Sequence, residues 1–125
     1  MFKQYFKKYY KLIIWCGVIF VLSSIPSAKI SSDTFLDFVV RKFLHIFEYF
    51  ILTILSYNTF KSHKSAYFFA LVYAISDEVH QMFVPGRGPS LKDVLVDSIG
   101  IIMGLLLIWK NYYQKLPKKI QELLN

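Results

Sequence analysis

The sequence predicts an all-α, polytopic membrane protein with four transmembrane helices and both termini in the cytoplasm. Of its 125 residues, 55% are hydrophobic and 18% are charged, and the mean hydropathy is +0.42. Soluble domains usually have about 45–50% apolar and about 25% charged residues. The apolar residues form four runs, and the lysines cluster beside those runs, as topology determinants do. The whole chain, residues 1–125, is expected to form one domain.

The first helix is expected at about residues 10–26. Lysines and aromatic residues interleave ahead of its apolar run, which is typical of an anchor at a membrane surface. Together with Tyr9 and Tyr10, the run approaches the roughly 17–25 residues that span a bilayer. A cleaved signal peptide remains an alternative, because a basic segment, a short apolar core and small residues before Lys29 occur in that order.

Three further helices are expected at about residues 43–60, 66–84 and 94–110. A short interfacial helix is expected ahead of the second, beginning near Thr34, because apolar residues follow at helical spacing. The Pro- and Gly-rich turn at residues 85–89 ends the third helix.

The start and the middle of the fourth helix each carry a local motif. Ser90 and Asp93 have the spacing of a capping box, with Asp in the usual Glu position. Gly100 and Gly104 form a GxxxG pair, which permits close approach of another helix in lipid.

The basic residues predict the orientation of these helices. Four crossings put the N-terminus, the connection near Lys61 and the C-terminal tail on one side. That side carries ten of the fifteen basic residues: Lys3, Lys7, Lys8, Lys11, Lys61, Lys64, Lys110, Lys115, Lys118 and Lys119. Its one acidic residue is Glu122. The first side is therefore expected to be cytoplasmic.

Polar residues collect at the outer ends of the second, third and fourth helices. Helical spacing puts His45 and Glu48 on one face, and Asp77 and Gln81 on another. Ionisable groups at membrane depth are costly, need partners and indicate a functional site. One connected network is expected from Arg41, His45, Glu48, Asp77, Glu78, Gln81, Arg87 and Asp97. A purely structural salt-bridge cluster remains an alternative.

Several other functions are less well supported. His45, Glu48, Asp77, Glu78 and His80 include suitable metal ligands, but no recognised metal-binding spacing accompanies them. No metal and no cofactor are therefore predicted. The net charge of +7 does not indicate nucleic-acid binding, because the lysines lie beside apolar runs.

At these residues the chain resembles the VanZ-like family of small bacterial membrane proteins. The resemblance covers about residues 14–108 and rests on three motifs in order: Arg41-Lys42-x-x-His45-x-x-Glu48-Tyr49, Asp77-Glu78-x-x-Gln81-x-Phe83-x-Pro85-Gly86-Arg87, and Ser90-Leu91-x-Asp93-x-x-x-Asp97-x-x-Gly100-x-x-x-Gly104. Arg41 stands where family members often have Asp, and Asp97 where they often have Asn. The additional carboxylate favours a paired or proton-linked role for Asp97.

The resemblance implies a link to resistance against teicoplanin, a lipid-tailed glycopeptide that acts at the outer face of the membrane. We expect a multi-pass protein of the cell membrane whose outward-facing pocket handles or shields an anionic cell-envelope component, such as an undecaprenyl-linked phosphate. Arginine forks match phosphate geometry. The expected binding residues are Arg41, His45, Gln81, Arg87, Asp93 and Asp97.

Two alternatives remain open. The first is a membrane-embedded enzyme that uses Glu48, Asp77 or Glu78 as acid or base on a lipid-linked phosphate or glycan. The second is a noncatalytic partner subunit of an envelope complex, docking through the face of Gly100 and Gly104. The expected partners are membrane lipid and an anionic lipid-linked precursor, with a second membrane protein or another copy of the chain as alternatives.

Overall fold

The computed structural model describes residues 2–24, 34–84, 91–109 and 112–124. These ranges form α1 (Phe2–Ser24), α2 (Thr34–Phe60), α3 (His63–Gln81), α4 (Leu91–Trp109), a short 3-10 helix (Tyr112–Lys115) and α5 (Lys118–Leu124). The all-α prediction is confirmed for the described residues, which contain no strand. Among the helices of these ranges, none has both the length and the apolar character that crossing a membrane requires.

α1 and α2 begin well before the starts that the sequence pattern predicted, which were about residues 10 and 43. α1 begins at Phe2, because residues 2–11 contain no Gly or Pro that would oppose a helix. α2 begins at Thr34 and continues for 27 residues. The expectation of a separate interfacial helix near Thr34 is therefore wrong. No Gly or Pro interrupts residues 34–60, so the interfacial segment and the second apolar run join in one helix.

The four long helices alternate in direction. Trp15 of α1 donates through Nε1 to the backbone carbonyl of Glu48 at 2.9 Å. The ring of Tyr9 lies 6.4 Å from that of Phe60. Early residues of α1 thus meet late residues of α2, and the two helices run antiparallel. The bundle therefore has one end formed by the start of α1 and the end of α2, and an opposite end formed by the end of α1 and the start of α2.

α2 is the central helix, since it packs against α1, α3, α4 and α5. Its buried face includes three hydroxyl residues, Thr53, Ser56 and Thr59. Each donates to the backbone carbonyl one turn earlier, at 2.7, 2.7 and 2.8 Å. The buried hydroxyls are therefore satisfied within their own helix.

The connection between α2 and α3 is a turn of two residues, Lys61 and Ser62. Lys61 has a positive φ of 56°, and its backbone N–H donates to the carbonyl of Tyr57 at 2.7 Å. This left-handed conformation ends the helix in the usual manner of a C-cap. Ser62 then caps α3 by accepting from the N–H of Ser65 at 3.3 Å. The short turn makes α2 and α3 an antiparallel hairpin.

The glycine pair of α4 lies directly against α2. A Cβ added at Gly100 would meet the backbone carbonyl oxygen of Ile46 and lie 3.1 Å from the backbone nitrogen of Phe50. A Cβ at Gly104 would lie 3.0 Å from Cβ of Thr53 and 3.1 Å from the carbonyl oxygen of Phe50. This face is occupied by the chain's own helix. The hypothesis of a partner subunit docking through it is therefore corrected, because such a partner would have to displace α2.

The outer surface of the bundle is strongly apolar, whereas its interior contains charged groups. Asp77, Gln81 and Asp97 are only 7%, 2% and 1% exposed. Large apolar side chains that are more than half exposed include Ile13, Ile14, Phe20, Val21, Phe43, Phe68, Val72 and Ile102. Asp side chains are almost never fully buried unless they are paired, so these carboxylates need partners within the bundle.

Candidate functional site

Six polar side chains form a row between α2, α4 and α3, which we call the polar ladder. It consists of Lys42, His45 and Tyr49 of α2, Asp93 and Asp97 of α4, and Asp77 of α3. The α2 residues are three and four apart and the α4 residues four apart, so each set lies on one helix face. The pairs advance together along the chain, which shows that α2 and α4 run parallel.

The outermost pair of the ladder is an ion pair between Lys42 Nζ and Asp93 Oδ1. Its side chains are 27% and 19% exposed, so solvent and ligands reach it. One turn deeper, His45 Nδ1 lies 3.0 Å from Asp97 Oδ1. These side chains are 15% and 2% exposed. Burial therefore increases along the ladder, and electrostatic interactions strengthen as the surroundings become less polar.

The innermost pair of the ladder joins α2 to α3. Tyr49 donates its hydroxyl to Asp77 Oδ2 at 3.4 Å. Tyr49 is fully buried and Asp77 nearly so. Across the described ranges, no buried side-chain nitrogen or oxygen lacks a hydrogen-bond partner. The cost of burying these polar groups is therefore offset by bonds between helices.

The last turn of α3 also contacts α1. Gln81 donates through Nε2 to the hydroxyl of Ser23 at 3.4 Å. His80 Nε2 lies 2.9 Å from the hydroxyl oxygen of Ser24, and its ring stacks on that of Phe20 at 4.4 Å. These bonds fix the ends of α1 and α3 beside each other at the end of the bundle where the ladder opens.

The structure places the predicted site residues in different surroundings. His45, Asp77, Asp93 and Asp97 come together in the ladder, and Gln81 lies against α1. Arg41 forms an ion pair at 2.9 Å with Asp37, within its own helix. Glu48 and Glu78 are half-buried, and the backbone carbonyl of Glu48 accepts from Trp15. Arg87 and the capping residue Ser90 lie outside the described residues.

Sequence reasoning did not include Lys42 and Tyr49 among the site residues. Lys42 precedes His45 by three residues and Tyr49 follows it by four, so all three share a face of α2. Both residues are also part of the first motif. The signal was the helical spacing around His45, which selects Lys42 and Tyr49.

The ladder is suited to hydrogen bonding and proton exchange. Asp97 holds His45 through Nδ1, which orients the imidazole ring and makes Nε2 the other position for a proton. Within the described ranges, no three His, Cys, Asp or Glu side chains lie close enough together to hold a metal ion. The ligands considered from the sequence therefore form no such group within the described residues. They were His45, Glu48, Asp77, Glu78 and His80.

Comparison with known proteins identifies the family. Residues 5–113 match the family model described as VanZ/LLP1. Over 82 residues the chain is 33% identical to the uncharacterised membrane protein YwnJ of Bacillus subtilis (strain 168), an alignment that covers 64% of this chain and 58% of YwnJ. The chain thus spans less than two thirds of that relative. No solved structure matches this chain. Because the family match contains every residue of the polar ladder, the resemblance is confirmed, and this chain belongs to the VanZ/LLP1 family.

Proposed function

We propose that this protein is a multi-pass protein of the cell membrane whose polar ladder receives the anionic headgroup of a cell-envelope component. In this proposal α1–α4 cross the membrane together as one packed bundle with both termini cytoplasmic, although no described helix has by itself the length and apolar character for crossing. The apolar outer surface and the buried carboxylates support this location, as the hydrocarbon of a bilayer is the solvent in which that distribution is stable. The relative named a membrane protein supports it as well.

The observation that carries the proposal is the partly exposed ion pair of Lys42 and Asp93 at the mouth of the ladder. Acidic side chains outnumber basic ones among the described residues at this end. An anion that binds Lys42 therefore has to replace the carboxylate of Asp93. A phosphate group is suited to this exchange, since it carries more charge and more acceptor oxygens than a carboxylate. The partly exposed pair of Arg41 and Asp37 offers a second cation nearby.

This exchange predicts opposite effects for the two members of the pair. Lys42→Gln should weaken binding of farnesyl phosphate to the purified protein by about tenfold, because one charge-assisted hydrogen bond is lost. Asp93→Asn should strengthen binding, because Lys42 no longer has a competing carboxylate. Calorimetric titration measures both, with uncharged farnesol as the ligand control and Lys118→Gln as the protein control. Equal affinities of the Lys42→Gln variant and the wild type would contradict the proposal.

The proposed orientation predicts a labelling pattern. Cysteine introduced at Ser32 or Ser90 in a Cys16→Ala background should react with a membrane-impermeant thiol reagent on whole cells. Cysteine at Ser62, in the turn after α2, should react only after the cells are opened. The opposite pattern would place the ladder at the cytoplasmic face.

The pair of His45 and Asp97 favours one second candidate, a membrane-embedded enzyme with acid/base chemistry. An imidazole oriented by a carboxylate is a common arrangement for proton transfer. In this candidate, His45 rather than Glu48, Asp77 or Glu78 exchanges the proton with a lipid-linked phosphate or glycan. Release of inorganic phosphate or of a free lipid alcohol from such a substrate by the purified protein distinguishes this enzyme from a binding protein.

A ladder that opens at the outer face would act where lipid-tailed glycopeptides act. We therefore include a link to teicoplanin resistance in the proposal. Protection would follow if the protein occupies or shields the lipid-linked envelope component that the antibiotic approaches. Susceptibility of a host that carries ladder variants is the corresponding measurement.

A further inference from the structure

A basic cleft lies at the end of the bundle opposite the ladder. Lys7, Lys8 and Lys11 of α1, Asn58 and Thr59 of α2, and Leu124 of α5 line it. The cleft has a volume of about 40 Å³, which is roughly three times what one water molecule needs. The cleft can therefore admit a small polar group.

One wall of the basic cleft is held by hydrogen bonds between distant parts of the chain. Lys11 Nζ donates to the backbone carbonyl of Glu122 at 2.8 Å, and Asn58 Nδ2 donates to that of Leu124 at 2.6 Å. Both carbonyls belong to the last turn of α5, where backbone acceptors have no partner within the helix. The docking of α5 therefore brings Leu124 into the wall of the cleft.

The charge around the basic cleft favours binding of an anion. Among the described residues, this end carries nine lysines: Lys3, Lys7, Lys8, Lys11, Lys61, Lys64, Lys115, Lys118 and Lys119. The acidic residue described beside them is Glu122. Lys7 and Lys11 are four apart and Lys8 and Lys11 three apart, so their like charges repel on one helix face. A phosphate group between these lysines relieves that repulsion.

The residues beside the basic cleft favour a lipid ligand over a soluble phosphate. Phe2, Tyr5 and Phe6 precede the lysines in α1 and are 84%, 58% and 60% exposed. Aromatic and basic residues that alternate in this way are typical of segments at an anionic membrane surface. A ligand with a phosphate headgroup and an attached acyl chain contacts both features.

We propose that the basic cleft binds the phosphate headgroup of an anionic membrane lipid. The site lies at the opposite end of the bundle from the polar ladder, on the side where anionic lipids attract basic segments. It rests on the proposed membrane location but not on the ligand proposed for the ladder.

The test uses the full-length protein in neutral detergent with dioctanoyl phosphatidic acid. This lipid should raise the midpoint of thermal unfolding, whereas dioctanoyl phosphatidylcholine and inorganic phosphate should raise it much less. Lys7→Gln/Lys8→Gln should weaken phosphatidic acid binding by about 20- to 30-fold, or roughly fivefold for each lysine. Both lysines are exposed, so the unliganded midpoint should match that of the wild type. If the double variant folds poorly, each single variant should still show its fivefold loss.

Two control variants and one control ligand test whether the basic cleft is a specific lipid site. Lys118→Gln/Lys119→Gln removes the same charge from the same end but not from the cleft, and should weaken binding by less than about threefold. An equal loss in both double variants would show that the overall positive charge of this end, and not the cleft, attracts the lipid. That result would overturn the proposal. Stabilisation by inorganic phosphate that equals that by phosphatidic acid would overturn the assignment to a lipid. Lys42→Gln should bind phosphatidic acid normally, and a loss there alone would assign the lipid to the ladder instead.

Discussion

Gly100→Ala should destabilise the folded protein by about 2 kcal/mol, although it adds a single methyl group. The added carbon would meet the backbone carbonyl of Ile46, and a backbone atom cannot move aside as a side chain does. α4 would have to separate from α2, and overpacking of this kind typically costs about 1–3 kcal/mol. Gly104→Ala should cost less, because its tightest contact includes the Thr53 side chain, at 3.0 Å. Reversible unfolding in mixed micelles gives both values.

Gly17 provides the matched control for the glycine variants. It also lies within a helix, but a Cβ there would have no neighbour within 4 Å. Gly17→Ala should therefore be neutral, or stabilising by up to about 1 kcal/mol through helix propensity alone. A similar loss in Gly17→Ala and Gly100→Ala would mean that the close approach of α4 to α2 is not the cause.

Asp97→Ala should cost about 1–3 kcal/mol, because it leaves His45 without the acceptor at 3.0 Å in a mostly buried position. Asp97→Asn should cost less than about 1 kcal/mol, because the amide keeps an oxygen that accepts from Nδ1. Removing His45 as well should recover part of the loss, since the partner is then no longer left unsatisfied. A coupling free energy of about 0.5–3 kcal/mol between the two positions is expected from unfolding measurements on both single variants and the double variant.

The same variants decide between a functional and a structural role for the ladder. Additive losses, within about 0.5 kcal/mol, would show that His45 and Asp97 are not coupled. If Asp97→Asn keeps its stability but a host that carries it loses protection against teicoplanin, the ladder is a functional site. If Asp97→Ala and Asp97→Asn lower the stability but leave protection against teicoplanin unchanged, the ladder is a structural cluster.

The helices and their polar ends could be predicted because both depend on short-range patterns. The spacing of His45, Asp93 and Asp97 indicates helix faces, and alternation of four helices brings those faces to one end of the bundle. The pairing could not be predicted. The sequence placed Arg41 in one polar network with His45, Glu48 and Asp97, but Arg41 bonds to Asp37, one turn earlier in its own helix. Which face of a helix meets which neighbour depends on rotation about the helix axis, and apolar residues on all sides of α2 leave that rotation undetermined.

The ends of the chain were harder to predict for a related reason. The predicted start of α1 followed hydropathy, but its helix extends into the basic segment that begins at Phe2. α5 was expected only as a basic tail. It is a helix of seven residues, too short to be stable by itself. It is held instead by bonds from Lys11 and Asn58, which are distant in sequence and therefore invisible to local patterns.

The two-residue turn at Lys61 and Ser62 also has a consequence for the order in which the molecule assembles. α2 and α3 are close along the chain, so their contacts close a very short loop and form early, whether during synthesis or on refolding. At that stage Tyr49 can already bond to Asp77. The carboxylates that pair with Lys42 and His45 belong to α4 and are not yet in place. The glycines of α4 must also reach α2 before the bundle is closed. A nascent chain that stops before residue 91 would therefore leave Lys42 and His45 without the carboxylates that hold them in the folded bundle.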